Sequence, residues 1–110
     1  MIVTTTDDLN GYEITSYLGI VSGDAVCGTN IFRDLFASIR DVVGGRAASY
    51  EKVFADAKEM AIEGLKERAA ALGADAIVGI DLDYEVIGGD SKTLLMVSAN
   101  GTAVKVRKTS

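Results

Sequence analysis

Residues 74–87 read ADAIVGIDLDYEVI, and the alternation of apolar and acidic side chains in this stretch decides the fold. Successive side chains of a β-strand point to opposite faces, so alternation over this length predicts a half-buried strand. The apolar set is Ala76, Val78, Ile80, Leu82, Tyr84 and Val86, and the acidic set is Asp75, Asp81, Asp83 and Glu85. The pattern therefore predicts a strand with its apolar face on the core and a row of carboxylates on the other face.

On both sides of this strand the sequence predicts further strands. Residues 88–91 contain two glycines and are typical of a turn, and residues 93–107 return as a long strand interrupted near Asn100 and Gly101, which predicts a β-hairpin. Near the amino terminus, residues 2–5 predict a short strand and residues 12–26 a long one. Gly19 and Gly23 in the long strand predict a bend, because glycine inside a strand marks a bulge or a close backbone approach.

The middle of the chain has helical periodicity. A first helix is predicted over residues 30–43, with Asn30 as its N-cap. Its apolar arc is formed by Ile31, Phe32, Leu35, Phe36, Ile39, Val42 and Val43. A second helix is predicted from about residue 47 or 49 to Leu72, with Gly73 as its C-cap and an apolar stripe formed by Tyr50, Val53, Phe54, Ala57, Met60, Ala61, Leu65 and Leu72. Ile62 projects onto its charged face and Arg68 into its apolar stripe, which favours a subunit contact.

The order β, β, α, α, β, β predicts one α+β domain over residues 1–110, an antiparallel sheet with two helices packed on one face. A chain of 110 residues and 11.5 kDa has the length of a single domain, and its apolar residues form no run long enough to span a bilayer. The sequence therefore predicts a globular, soluble protein.

Charge and cysteine content narrow the expected partners and compartment. The formal net charge of −5 disfavours nucleic acid and anionic membranes, and the basic residues Lys105, Arg107 and Lys108 at the tail are typical of a solubilising end. Cys27 is the single cysteine, so no intrachain disulfide can form. Together with an amino terminus that lacks the pattern of an export signal, this predicts a cytoplasmic protein.

Catalytic groupings are missing from the sequence. The chain contains no histidine to act as a base, and Ser16, Ser22 and Ser98 do not lie in a Gly-x-Ser-x-Gly turn. Residues 43–46, with the sequence VGGR, could hold an anion at a helix N-terminus, but they lack the ending of a nucleotide-binding loop, and a connection between two helices is the better interpretation. The sequence predicts that the protein is not an enzyme, with no catalytic residues and no cofactor-binding residues.

Cys27 is one candidate metal ligand. Soft metal ions prefer thiolate or imidazole, and one chain offers a single cysteine, three methionines and no histidine. A site for such an ion would therefore need Cys27 from several subunits. The competing interpretation is that Cys27, which ends an apolar strand, is a small core residue.

Asp81 and Asp83, with Glu85 beyond them, are the alternative candidates. Hard cations prefer clustered carboxylates, and these three lie on the same face of the predicted strand. Neighbouring members would be about 6.5–7 Å apart, which is wide for sharing one ion. A solvated or ion-paired face, with Arg33, Arg40 or Arg46 as partners, is the competing interpretation.

Several stretches of the chain carry a family resemblance: GTNIFRD at 28–34, IRDVVGGR at 39–46, YEK at 50–52, LGADAIVGIDLDYE at 72–85, and MVS and GTAVK within 96–105. They resemble the signatures of the YbjQ-like family of small bacterial proteins. The resemblance implies a dodecin-like β-α-β-β topology with short extra strands, assembled as a ring-shaped homo-oligomer, a pentamer. The family is described as heavy-metal-binding, so the resemblance also implies a possible metal ligand.

Two functional hypotheses follow from the resemblance and the candidate ligands. The first is an oligomeric protein that binds a metal ion or small ligand at its subunit interfaces. The alternative is a structural or protein-interaction homo-oligomer with no small-molecule ligand.

Overall fold

The structure of this chain is a computed structural model that describes residues 1–27, 46–88 and 93–109. The elements in these residues are β1 (Ile2–Val3), β2 (Tyr12–Cys27), α1 (Arg46–Ala71), β3 (Ala76–Gly88) and β4 (Thr93–Lys108). The described part of the chain contains no helix with the length and hydropathy needed to cross a lipid bilayer.

The four strands form one mixed sheet in the order β1-β3-β4-β2. The long strands pair antiparallel, with Tyr12 opposite Lys108 at one end of the β2–β4 pair and Cys27 opposite Leu95 at the other. β1 runs parallel to β3. β4 lies between two strands, whereas β2 is an edge strand: among the described residues, no strand pairs with its outer side.

α1 packs on one face of this sheet through a stripe of small residues. Ala57, Ala61, Leu65 and Ala69 recur every fourth residue and are buried, which places them on one side of the helix. Three of the four are alanine, so the helix backbone comes close to β2 at Gly23. A Cβ at Gly23 would overlap the carbonyl oxygen of Ala61 and lie 2.5 Å from the amide nitrogen of Leu65.

The main core lies between α1 and the sheet. Its buried members from the sheet are Val21, Ala25, Cys27, Ile77, Ile80, Leu95, Val97, Ala99 and Ala103. At the margin of this core, the rings of Phe54 and Tyr84 meet edge to face with their centroids 5.8 Å apart, an arrangement that aromatic pairs favour.

A bulge at Gly79 changes which face the residues of β3 occupy. The register of β3 on β4 shifts between Val78 and Asp81, and Gly79 has a φ of 62°. Its amide donates to the carbonyl of Thr6 at 2.9 Å. The predicted single apolar face from Ala76 to Val86 is therefore wrong, because Ala76 and Val78 lie in a different apolar cluster from Ile80.

This second apolar cluster lies on the sheet face opposite α1. Leu9, from the segment that joins β1 to β2, packs with Ala76, Val78 and Val104. Residues 4–11 thus cross the sheet from β1 at one edge to β2 at the other. The crossing covers only the part of that face next to the start of β3.

The predicted fold class requires correction. The sheet is mixed rather than antiparallel, because the chain crosses the sheet between β1 and β2 instead of turning back beside β1. The described residues contain one helix, not two on one face, and the predicted helix over 30–43 lies outside them. A dodecin-like ring has no support in a single chain with this curled mixed sheet.

Other expectations for the elements are confirmed. The helix ends at Ala71, and Gly73, with a φ of 80°, follows it as the predicted C-cap. β3 and β4 form the predicted hairpin, with Gly88 opposite Thr93. The register of β2 shifts next to Gly19 as predicted, whereas Gly23 marks the approach of the helix backbone without a shift.

Candidate functional site

The part of the sheet face that residues 4–11 leave open carries most of the candidate residues, and we call it the acidic face. Its position follows from alternation along β2: Val21, Gly23, Ala25 and Cys27 are buried toward α1, so the residues between them point away from the helix. The acidic face is formed by Ser22 and Asp24 of β2, Asp81, Asp83 and Glu85 of β3, and Met96, Ser98 and Asn100 of β4.

Strand register sets the spacing of its carboxylates. Ser98 of β4 lies opposite Asp83 on one side and Asp24 on the other. Adjacent strands are about 4.8 Å apart, so Asp24 and Asp83 are separated by roughly 10 Å. Asp81 lies opposite Asn100. It is two residues before Asp83 on β3 and therefore on the same face. Neutral oxygen donors therefore alternate with carboxylates across this face.

A shallow depression of about 470 Å³ lies on the acidic face. It is lined by Asp83, Tyr84, Glu85, Met96, Ser98 and Asn100. Beside it, the hydroxyl of Ser22 donates a hydrogen bond of 2.7 Å to Oδ1 of Asn100, which fixes one amide side chain at the rim. The depression can accommodate a hydrated ion or a small polar molecule, and its walls offer oxygen atoms and one thioether.

The acidic face has no cationic partner among the described residues. The ion pairs among the described residues join Lys66 to Glu63 and Arg107 to Glu13, and neither pair involves a carboxylate of the acidic face. Of the arginines proposed as partners, Arg33 and Arg40 lie outside the described residues, as does the side chain of Arg46. A surface with several unpaired carboxylates has a negative potential that attracts cations.

A complete metal site does not form within the described part of one chain. No group of three or more histidine, cysteine, aspartate or glutamate side chains converges there closely enough to hold an ion. Asp81 and Asp83 lie on the same face as predicted, but the depression is lined by Asp83 and Glu85 and not by Asp81. The assignment of Asp81 and Asp83 as metal ligands stays a prediction.

Cys27 lies on the other side of the sheet. It is 9% exposed and belongs to the core beneath α1, whereas Met96 lines the depression on the acidic face. The two sulfur atoms therefore point to opposite faces. The prediction that several copies share a metal ion through Cys27 stays a prediction. Residues 43–45 of the glycine-rich stretch lie outside the described residues.

Sequence reasoning missed the members of this face that come from β2 and β4, namely Ser22, Asp24, Met96, Ser98 and Asn100. The alternation of Ser98 and Asn100 with the apolar Val97 and Ala99 is visible in the sequence and indicates a shared face. The pairing of that face with the carboxylates depends on register. A bulge that shifts register by one residue reverses the face, so register could not be read from alternation alone.

Comparisons with known proteins support the family resemblance. Residues 1–107 match the family model YbjQ_1, described as "Putative heavy-metal-binding". Among solved structures, the chain is similar to a protein of unknown function that belongs to the DUF74 family, from Pediococcus pentosaceus. The TM-score is 0.62 and the identity 22%, over 97% of this chain and 98% of that chain. At this identity the similarity bears on the fold alone.

Proposed function

This chain belongs to the YbjQ-like family, and from that membership and the geometry of β2 we propose that it is a self-associating protein that holds a metal ion or another small ligand where copies meet. The observation that carries the proposal is an edge strand with strongly exposed apolar side chains beside the acidic face. Tyr17 is 73% and Ile20 is 82% exposed, although both lie in the middle of a strand of 16 residues.

The backbone of β2 is prepared for pairing with another strand. Arg68 of α1 donates a hydrogen bond of 2.6 Å from Nη1 to the carbonyl of Ser22, so this carbonyl points to the outer side of β2. Backbone groups alternate in direction along an antiparallel strand, so those of Asp24 and Val26 point outward as well. Arg68 already occupies the carbonyl of Ser22, but no strand of the described residues pairs with the outer side of β2. An unpaired edge of this length is a template for another strand.

Burial of Tyr17 and Ile20 supplies a driving force for the contact. Fully burying a large apolar side chain contributes about 1.5–3 kcal/mol, and a symmetric contact between two copies buries each side chain twice. The helix cannot supply this cover within one chain, because α1 lies on the opposite face of the sheet. A second copy placed at the outer side of β2 would cover Tyr17 and Ile20.

The ligand part of the proposal rests on the acidic face next to this edge. Within the described residues of one copy, the carboxylates are spaced too widely to surround an ion. Asp24 belongs to the edge strand itself, so contact through β2 brings the acidic faces of two copies near each other. Oxygen donors from both copies could then complete a coordination shell that does not form among the described residues of one copy.

The alternative function is a homo-oligomer without any small-molecule ligand. The lack of a converging group of metal-binding side chains in the described residues favours it. Under this alternative, the carboxylates of the acidic face serve only to keep the face hydrated and to oppose incorrect association.

The proposal includes no catalytic step and no nucleic acid or membrane partner. The sequence has no histidine and a net charge of −5, which argues against acid–base catalysis by histidine and against polyanionic partners. The unpaired Cys27 is compatible with the reducing cytoplasm as its compartment. The number of copies follows directly from a measured molar mass.

Light scattering coupled to size-exclusion chromatography tests the assembly. We expect the native protein to have a molar mass above the 11.5 kDa of one chain, and Ile20→Lys to reduce it toward that of a monomer. Met60→Lys is the matched control, since Met60 is 59% exposed and lies on α1 rather than on β2. A monomeric native protein would exclude self-association, and loss of assembly in Met60→Lys alone would place the contact on the helix.

Equilibrium dialysis against Ca²⁺, Mn²⁺ and Zn²⁺, with the metal content measured afterwards, tests the ligand. We expect uptake of a fixed number of ions per assembly, reduced in Asp83→Asn and in the monomeric Ile20→Lys variant. Glu67→Gln on α1 removes the same charge elsewhere and should leave uptake unchanged. An intact assembly that takes up none of these ions would favour the alternative of a ligand-free oligomer.

A further inference from the structure

The soft donors of this chain are few and lie far apart in the fold. The complete sequence has one cysteine, three methionines and no histidine. Cys27 is buried under α1, Met96 lines the depression on the opposite face, and Met60 is exposed on the helix. Thiophilic ions such as Cd²⁺, Cu(I) and Hg²⁺ need two or more sulfur or imidazole donors close together, and these residues do not supply them.

The surroundings of Cys27 explain why its thiol is also closed to other copies. It lies opposite Leu95 in the β2–β4 pair, and both residues belong to the core beneath α1. A neighbour that pairs with the outer side of β2, or that covers the acidic face, approaches the sheet from a direction in which the thiol does not point. Cys27 lies on the face that α1 covers. Its thiol is therefore buried whether or not the copies associate through β2.

We infer that Cys27 is a packing residue and that this chain does not bind thiophilic metal ions through it, in disagreement with the heavy-metal description of the family. The thiol fills space as a small apolar group, as free cysteines commonly do in protein interiors. Any metal ion that the protein takes up is then bound by oxygen donors.

Thiol labelling of the reduced protein is the first test. We expect the reaction of Cys27 with 5,5′-dithiobis(2-nitrobenzoic acid) to be at least about 100-fold slower in native protein than in urea-unfolded protein, because burial withholds the thiol from the reagent. This measurement uses the native sequence, so it does not depend on whether a variant folds. Equal rates in the two states would overturn the inference.

Cadmium titration is the second test. The thiolate-to-metal charge-transfer absorbance of Cd²⁺ in the ultraviolet is measured with the native protein and with Cys27→Ala. We expect no charge-transfer band with either protein, and equal Cd²⁺ uptake by the two in dialysis. A band in the native protein that Cys27→Ala abolishes, at any ratio of metal to chain, would establish Cys27 as a ligand and overturn the inference. Uptake without a band would support it.

Discussion

Gly23 fixes the distance between the helix and the sheet. It has no side chain at the point where β2 meets the backbone of α1, and a Cβ there would overlap the carbonyl of Ala61. The obstacle is backbone rather than a flexible side chain, so it cannot move away without shifting the whole helix. The sequence predicted a special role for Gly23 but could not distinguish a bulge from a helix contact, because both need the same residue.

We expect Gly23→Ala to lower the free energy of unfolding by about 3 kcal/mol, since insertion of a methyl group into a closed contact forces the backbone apart. Urea unfolding followed by circular dichroism measures the loss. Gly64→Ala is the matched control: its Cβ would lie 3.6 Å from the Cα of Gly23, an ordinary contact, and alanine stabilises a helix interior by about 0.5–1 kcal/mol relative to glycine. Equal effects of the two substitutions would show that the helix does not touch β2 at Gly23.

Gly79 tests the bulge in β3. Its φ of 62° is in the left-handed region, and the nearest atom to an added Cβ is Oδ1 of Asp7 at 3.7 Å, so strain rather than crowding decides the outcome. We expect Gly79→Ala to cost about 1–2 kcal/mol of unfolding free energy and Gly79→Asn less, because asparagine tolerates this conformation better. Thermal unfolding measures the stability of both variants. A smaller loss of stability for Gly79→Ala than for Gly79→Asn would contradict the left-handed conformation at Gly79.

At the scale of elements, Arg68 connects α1 to the edge of the sheet. The sequence placed Arg68 in the apolar stripe of the helix, but the structure exposes it, with the guanidinium bonded to the carbonyl of Ser22. Helical periodicity gave the correct angle of Arg68 around the helix. It could not show that a long side chain at this angle reaches past the edge strand to a backbone acceptor.

We expect Arg68→Met to reduce the free energy of unfolding by about 1 kcal/mol, the net value of one hydrogen bond near the surface. Lys66→Met is the control, because it breaks the exposed ion pair with Glu63 on the same helix, and such pairs contribute about 0–0.5 kcal/mol. Chemical denaturation of both variants gives the difference. If the two losses are the same, the bond from Arg68 to Ser22 does not hold the helix to β2.

The elements themselves were largely predictable, and the faces of the strands were not. Alternation and glycine positions located β2, β3 and β4, and Gly73 located the end of α1. The stripe of α1 was only partly correct: Met60 and Leu72 are exposed, while Ala69 is buried. Helical periodicity ranks large apolar residues first, whereas three of the four buried stripe positions near Gly23 are alanine and only Leu65 is large.

At the scale of the whole molecule, the order of the strands depends on long-range pairing that local patterns do not contain. Two residues of β1 pair parallel with β3 because residues 4–11 cross the sheet. Nothing in the alternation of a two-residue strand indicates its partner. The acidic face has the same origin, since Asp24, Asp83 and Ser98 come from three strands and meet only through register. The carboxylates of β3 could be predicted from alternation, whereas the residues of β2 and β4 that lie beside them could not.

Hydrogen exchange of β2 tests the proposed assembly at this scale. The carbonyl of Ser22 points to the outer side of β2, so the amides of Ser22, Asp24 and Val26 point outward as well, while those of Val21 and Gly23 bond to β4. In the monomeric Ile20→Lys variant we expect the outward amides to exchange at least about 100-fold faster than the inward ones, because solvent reaches them without unfolding.

In the native assembly the same outward amides should become as slow as the inward ones, since a second strand would accept their hydrogen bonds. Two-dimensional NMR or fragment-resolved mass spectrometry measures the alternation, and the amides of β4 serve as the internal control because they are paired on both sides in either state. Outward amides that stay fast in a protein of oligomeric molar mass would mean that the copies do not meet by strand pairing along β2. The contact would then involve the apolar side chains Tyr17 and Ile20 without strand pairing, or a different surface of the molecule.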